Sequence, residues 1–175
     1  GPGAHPVVTG RVLGATAEEV AARGAVVADA LRAGGVLPVL KHLPGHGRAR
    51  EDSHEALPVV DAPLEALEAV DFAPFRALAH HALGMTAHVV YAALDPDAPA
   101  TLSPACIAAI RGRIGFDGLL MTDDLSMGAL GGPMGARARA ALAAGCDVVL
   151  HCNGGMAEMA AIAAEAPALG GEAAA

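Results

Sequence analysis

Lys41-His42-Leu43-Pro44-Gly45-His46-Gly47-Arg48-Ala49-Arg50-Glu51-Asp52-Ser53-His54 continues directly from an apolar run, Val36 to Leu40. The run reads as a buried strand, and the fourteen residues after it crowd a lysine, three histidines and an aspartate around Pro44, Gly45 and Gly47. Proline and glycine bend the backbone, so Lys41 and His42 are expected at the rigid end of the strand, with a loop beyond them that can move. Ionisable groups thrown off the end of a buried strand are commonly held there for chemistry. Asp52-Ser53-His54 sets a carboxylate two residues from an imidazole, a spacing that suits an aspartate orienting a general acid/base.

Outward from this stretch the chain repeats one plan. On the N-terminal side, Val7 to Arg11 is short and extended. Thr16 then stands as an N-cap with Glu19 three residues on, and a helix runs to about Arg32 before Gly34-Gly35 stops it. On the C-terminal side Pro63 opens a mixed segment, Leu64 to Val70, and a helix is expected from about Asp71 to Leu83 with Phe72, Phe75 and Leu78 on one face. Gly84 to Tyr91 reads as a second buried strand, Asp95 to Thr101 as a polar loop, and Ser103-Pro104 as a cap and first turn of a helix to Arg113. Gly118 to Asp124 is a third strand, Met134 to Ala144 a helix, Cys146 to Asn153 a fourth strand and Met156 to Ala164 a last helix.

Continuous apolar strands alternating with helices are the mark of a parallel sheet covered by helices. In all four strands the reactive residues fall at the C-terminal end: Lys41 and His42, His88, Asp123 and Asp124, His151 and Asn153. The fold class is therefore α/β, and a TIM-type (β/α)8 barrel gathers its site at that edge. Such a barrel takes about 250 residues. With four clear strands, residues 1–175 are expected to be a single barrel catalytic domain, its C-terminal half or more, with N-terminal strands missing. Barrel edges left exposed would favour an oligomer.

The chain has 175 residues, 54% of them hydrophobic, enough for a sizeable core. Its net charge of −8 with scattered basic residues disfavours nucleic acid and anionic membrane as partners and leaves a neutral or modestly charged small ligand. Cys106, Cys146 and Cys152 lie in apolar surroundings without metal-type spacing and read as reduced core thiols, hence a reducing compartment. No glycine-rich phosphate loop comes after a strand, so nucleotide cofactors lose ground. Adjacent carboxylates on a strand point to opposite sides, so Asp123 can face the barrel mouth while Asp124 is turned into supporting hydrogen bonds, with capping of the next helix or a share in the chemistry as the other readings. Asp123 set against Lys41 is a candidate nucleophile or electrostatic stabiliser, with the Asp52–His54 pair as separate proton donor. That is the equipment of retaining glycoside cleavage.

Three motifs together carry a resemblance. Lys41-His42-Leu43-Pro44-Gly45-His46-Gly47 with Asp52-Ser53-His54, then Met85-Thr86-Ala87-His88-Val89, then Gly115-Phe116-Asp117-Gly118 running into Thr122-Asp123-Asp124-Leu125-Ser126-Met127, resemble the β-N-acetylglucosaminidases of glycoside hydrolase family 3, colinearly from about Pro6 to Ala164. The resemblance implies a cytoplasmic bacterial enzyme that removes terminal N-acetylglucosamine from anhydro-muropeptides in peptidoglycan recycling, by double displacement with retention and without a cofactor or metal. It implies Asp123 as nucleophile, His54 as acid/base oriented by Asp52, and Lys41, His42 and Arg11 on the sugar hydroxyls. Leu43 stands where the family commonly has Phe, and Arg48-Ala49-Arg50-Glu51 replaces a commoner Asp-Thr start to the loop. A family aspartate that binds the sugar from an earlier strand has no counterpart here.

Three other readings remain open on the residues. A metal-dependent hydrolase could draw ligands from His42, His46, Asp52, His54, His88 and His151, although Lys41 would repel a dication. A phosphorylase could use the same aspartate, because a histidine acid/base leaves incoming phosphate unrepelled. An inactive barrel fragment is the third. His80-His81 is expected on a helix as a solvated or partly packed pair.

Overall fold

The computed structural model describes residues 12–51, 53, 56–168 and 170. Helix α1, Ala17–Ala33, begins where the sequence places it: Thr16 Oγ1 accepts the Glu19 amide at 3.2 Å, and Glu19 Oε2 reaches back to the Ala15 amide at 2.8 Å. Its first turn carries Glu18 and Glu19 and its last Arg32, charges that complement the helix dipole, and Gly34 closes it.

Strand β1 is Val39–Leu43, three residues later than the apolar run suggests. Val36 and Leu37 are 56% and 60% exposed and belong to the connection, so Lys41 and His42 lie within the strand. The short strand β2, Val59–Val60, precedes a helical stretch in three pieces: Leu64–Ala66, a wide turn Leu67–Asp71, and α2, Ala73–Ala77. The expected helix over 71–83 thus ends early, and His80-His81 sits in the turn after it with His81 buried.

The expected strand 84–91 divides. Strand β3 is Leu83–Thr86, and the chain then leaves the main sheet before β4, Val90–Tyr91. The residues read as a polar loop form β5, Asp95–Pro99, antiparallel to β4, while β2 pairs parallel to β4. Helix α3, Pro104–Ala109, starts on a Ser103 cap and continues as a wide turn to Ile114. Strand β6, Leu119–Asp124, helix α4, Met134–Ala144, strand β7, Val148–Leu150, and helix α5, Met156–Ala163, complete the alternation, β6, α4 and α5 within a residue of expectation and β7 starting two residues late and ending three early.

The main sheet is parallel throughout in the order β1-β3-β6-β7, so each helical crossover leads to the neighbouring strand. Among the described residues it does not close into a barrel. Leu40, Leu43, Leu120, Phe72 and Phe116 fill the core around it. Gly84 is required there, since a Cβ would lie 2.7 Å from both Leu43 Cδ1 and Phe116 Cζ. At the N-terminal end of the strands, Asp147 Oδ2 accepts from Arg111 Nη2 at 2.8 Å and from the Leu120 amide at 2.7 Å, tying the entry of β7 to β6.

Burial pushes the Cys106 thiol up to about 11 and the Cys146 thiol up to about 12, inert positions for a thiol. Cys152, read as a core thiol, is exposed instead, because β7 stops at Leu150. No helix among the described residues is long and apolar enough to cross a membrane. Val7 to Arg11, the extended segment expected ahead of α1, lies outside the described residues.

Candidate active site

The parallel order puts the C-terminal ends of β1, β3 and β6 side by side, and two of the expected residues meet there. His42 Nε2, from β1, lies 3.3 Å from Asp123 Oδ2, from β6, with both side chains largely shielded from solvent. The expectation set Asp123 against Lys41. Lys41 is exposed and forms no ion pair with that carboxylate; successive strand residues point to opposite sides, and it is His42 that turns inward. The other oxygen, Oδ1, accepts the amide of Asp124 at 2.9 Å.

Asp124 is turned away into structure. Its Oδ2 accepts the Ser126 hydroxyl at 2.6 Å, and its Oδ1 accepts the amides of Ser126 at 3.0 Å and Cys152 at 3.2 Å. Burial pushes its carboxyl up, but these donors together hold it below the usual carboxylate range. It caps no helix directly, since α4 starts ten residues on, and it braces the end of β6 against the end of β7 instead.

The loop after β1 is held at two points. The buried Tyr91 hydroxyl donates to the Gly45 carbonyl at 2.6 Å, and Arg48 Nε donates to Asp71 Oδ2 at 2.7 Å. Gly45 has φ +143, and a Cβ there would crowd Asp71. Pro44 to Ala49 is therefore docked, not free, although a movable loop is expected from Pro44 on. Burial pushes the Asp71 carboxyl above its ordinary value in spite of Arg48. A cavity of about 470 Å³ opens beside this docked segment, lined by Lys41, His42, His46, Arg48, Asp71 and the apolar Phe75 among others. Its size is that of small-molecule sites, and His42 is the residue it shares with Asp123.

Arg11, Asp52 and His54, expected on the sugar and as the acid/base pair, lie outside the described residues. His42 and His46 rings stand edge to face, 5.4 Å between centroids, and His46 Nε2 is 3.4 Å from the Ser53 hydroxyl. His151 faces Glu158 at 2.9 Å and accepts the Asn153 amide on Nδ1. Among the described residues no three His, Cys, Asp or Glu side chains converge as a metal site would require.

His88 is not at a strand end. It lies in the bend after β3, 1% exposed, with Nδ1 2.8 Å from Thr101 Oγ1 and Nε2 3.0 Å from the Asp124 carbonyl. Three contributors escaped the sequence reading: Asp71, Tyr91 and Thr101. Each meets the site from 13 or more residues away, and none carries a local signal.

A model of the glycosyl hydrolase family 3 N terminal domain matches residues 3–170. That domain is a TIM-barrel type, of which the parallel sheet here is a part. The chain is 45% identical over 160 residues to a beta-hexosaminidase of Alkalilimnicola ehrlichii, covering 87% of this chain and 45% of that protein. It is 44% identical over 152 residues to one of Chromobacterium violaceum, covering 84% and 42%. It spans less than half the length of these curated relatives. Among solved structures, it is similar to a glycoside hydrolase family 3 beta-N-acetylglucosaminidase from Paenibacillus sp. FPU-7, with TM-score 0.86 and 38% identity over 92% of this chain and 32% of that one. It is also similar to NagZ from Neisseria gonorrhoeae, solved in complex with N-trifluoroacetyl-D-glucosamine, with TM-score 0.78 and 41% identity over 87% and 45%.

Proposed function

The chain belongs to glycosyl hydrolase family 3, and from that membership we propose that the protein is a retaining exo-β-N-acetylglucosaminidase acting through a covalent glycosyl-aspartate. The observation that carries the reading is the convergence of Asp123 with His42 at the C-terminal edge of a parallel sheet, the edge at which such barrels do chemistry. Similarity to proteins named beta-hexosaminidase, and to one solved with an N-acylated glucosamine, supports the sugar assignment.

In this reading Asp123 attacks the anomeric carbon while His54, oriented by Asp52, gives a proton to the departing oxygen. His54 then takes a proton from water as the glycosyl ester is hydrolysed, and the two inversions return the β configuration. Lys41, His42 and Arg11 hydrogen-bond the sugar hydroxyls. His42, in contact with Asp123 and at the cavity wall, is suited to hold a hydroxyl close to the reacting carbon. The substrate is assigned as the N-acetylglucosaminyl-anhydromuropeptide of cell-wall recycling. The whole of residues 1–175 is assigned to one barrel-type catalytic domain, and the location to the cytoplasm, in keeping with the free thiols Cys106, Cys146 and Cys152.

The test is to trap the intermediate with a slow fluorinated N-acetylglucosaminyl substrate and map the labelled peptide by mass spectrometry. A label on Asp123, with free sugar and not sugar 1-phosphate as the product in phosphate buffer, supports the proposal. A label on another carboxylate, or retention lost in the product, overturns it.

A further inference from the structure

The polar atoms of His88 admit a definite assignment of protons. Its Nε2 lies 3.0 Å from the Asp124 carbonyl, which can only accept, so Nε2 carries a hydrogen and donates. Nδ1 faces Thr101 Oγ1 at 2.8 Å, and Thr86 Oγ1 lies 2.8 Å from the same oxygen. Thr101 has one proton and three acceptors within reach, Nδ1 and Thr86 Oγ1 at 2.8 Å and the Ala87 carbonyl at 3.1 Å. Burial pulls the His88 pKa below its ordinary value, against Asp123 and Asp124, and so keeps the ring neutral with Nδ1 as an acceptor. The chain of donors then runs one way: Thr86 to Thr101, Thr101 to His88, His88 to the Asp124 carbonyl. All three side chains are buried, where hydrogen bonds in such a chain polarise one another.

The chain ends on the residue whose amide holds Asp123. Asp124 donates its N–H to Asp123 Oδ1, offers its carbonyl to His88 and to the Met127 amide, and spends its carboxylate on Ser126 and Cys152. We infer that His88, backed by Thr101 and Thr86, is a positioning residue that fixes the backbone of Asp124 and thereby aims the carboxylate of Asp123. The inference rests on the nucleophile assigned to Asp123 above. His88 acts on the reaction through the main chain of one residue, across two successive peptide groups, and touches no reacting atom. Without it the Asp124 carbonyl keeps only the Met127 amide at 3.2 Å, the Asp124 backbone is freer to turn about its φ and ψ, its amide drifts from Oδ1, and the attacking oxygen loses its heading.

The test compares His88→Ala, His88→Gln and His88→Asn. A glutamine amide nitrogen falls where Nε2 stands and can still donate to the Asp124 carbonyl; an asparagine group falls where Nδ1 stands and cannot. Hydrogen exchange of the Asp124 amide, read by NMR on the unliganded protein, should quicken about tenfold or more in His88→Ala and His88→Asn and stay near the parent value in His88→Gln, with amides of α4 unchanged. Turnover of a chromogenic N-acetylglucosaminide should lose about 100-fold in kcat in the Ala and Asn variants, with KM within about threefold, and recover in Gln. Unchanged exchange at Asp124 in His88→Ala overturns the inference, as does parent-like kcat in that variant. If the parent protein does not cleave the substrate while the exchange pattern is as expected, the positioning by His88 stands and the glycosidase reading fails.

Discussion

The backbone amide of Asp124 donates to Oδ1 of Asp123 at 2.9 Å, so the carboxylate proposed to attack is held by the residue next to it in the chain. Two adjacent carboxylates have thereby been given separate tasks, one open to the site and one consumed by Ser126 and Cys152.

Asp123→Asn keeps the shape and an oxygen for the Asp124 amide but removes the nucleophilic charge. Hydrolysis of a chromogenic N-acetylglucosaminide should fall by at least about 10⁴-fold. The melting temperature should move by no more than about 4 °C, the equivalent of about 1 kcal/mol in a chain of this size. A variant that retains a tenth of the parent kcat would contradict the role.

Arg48→Ala should destabilise in a pH-dependent way. The Asp71 carboxyl has its folded pKa raised by burial, so the folded state holds that proton more tightly than the unfolded chain. Its contribution to stability is present below the ordinary carboxylate value and is lost as pH rises through the folded one. Arg48 opposes that loss with a 2.7 Å bond. Removing it should cost about 1–3 kcal/mol at neutral pH, between the values for exposed and buried pairs, and little once Asp71 is protonated. Melting temperatures across an acid-to-neutral series read this directly, and Arg48→Ala combined with Asp71→Asn should recover most of the loss. A penalty that grows on acidification would refute the account.

The course of the strands and the site edge were legible because each depends on local pattern. Apolar runs of four to six residues, the Thr16 and Ser103 caps and the Gly84 and Gly118 entries determine where elements lie, and the parallel order then brings their C-terminal ends together. The run 84–91 misled for a physical reason. Thr86, Ala87, His88 and Val89 are all buried, so composition offers no break, yet the backbone leaves the sheet after Thr86 and the burial is supplied by the 95–103 segment folding over it. The docking of the 44–49 loop was equally hidden. Arg48 reads as a departure from a pattern until Asp71, 23 residues on, is seen to receive it.

Tyr91→Phe removes only the hydroxyl that reaches Gly45 and leaves a buried carbonyl without its donor. A loss of about 1–2 kcal/mol is expected by chemical denaturation. Faster exchange is also expected at the Ala49 amide, which closes the same docked turn onto His46.

Gly118→Ala and Gly112→Ala should behave oppositely. A Cβ at 118 would lie 2.6 Å from the Ala82 carbonyl and 2.7 Å from that of His81, backbone atoms that cannot step aside. A cost of about 3 kcal/mol or more is expected, in keeping with overpacking against fixed atoms. At 112 the space is open and the conformation helical, so alanine should gain about 0.5–1 kcal/mol. Denaturation midpoints of the two variants check both signs.

Strand β3 lies between β1 and β6, so the backbones bearing His42 and Asp123 stand two strand spacings apart, roughly 10 Å. Their tips nevertheless come within 3.3 Å. The reach of the imidazole arm is therefore a dimension of this architecture, and so is the low profile of the strand beneath it. Thr86 and Ala87, where the middle strand ends, are small and buried.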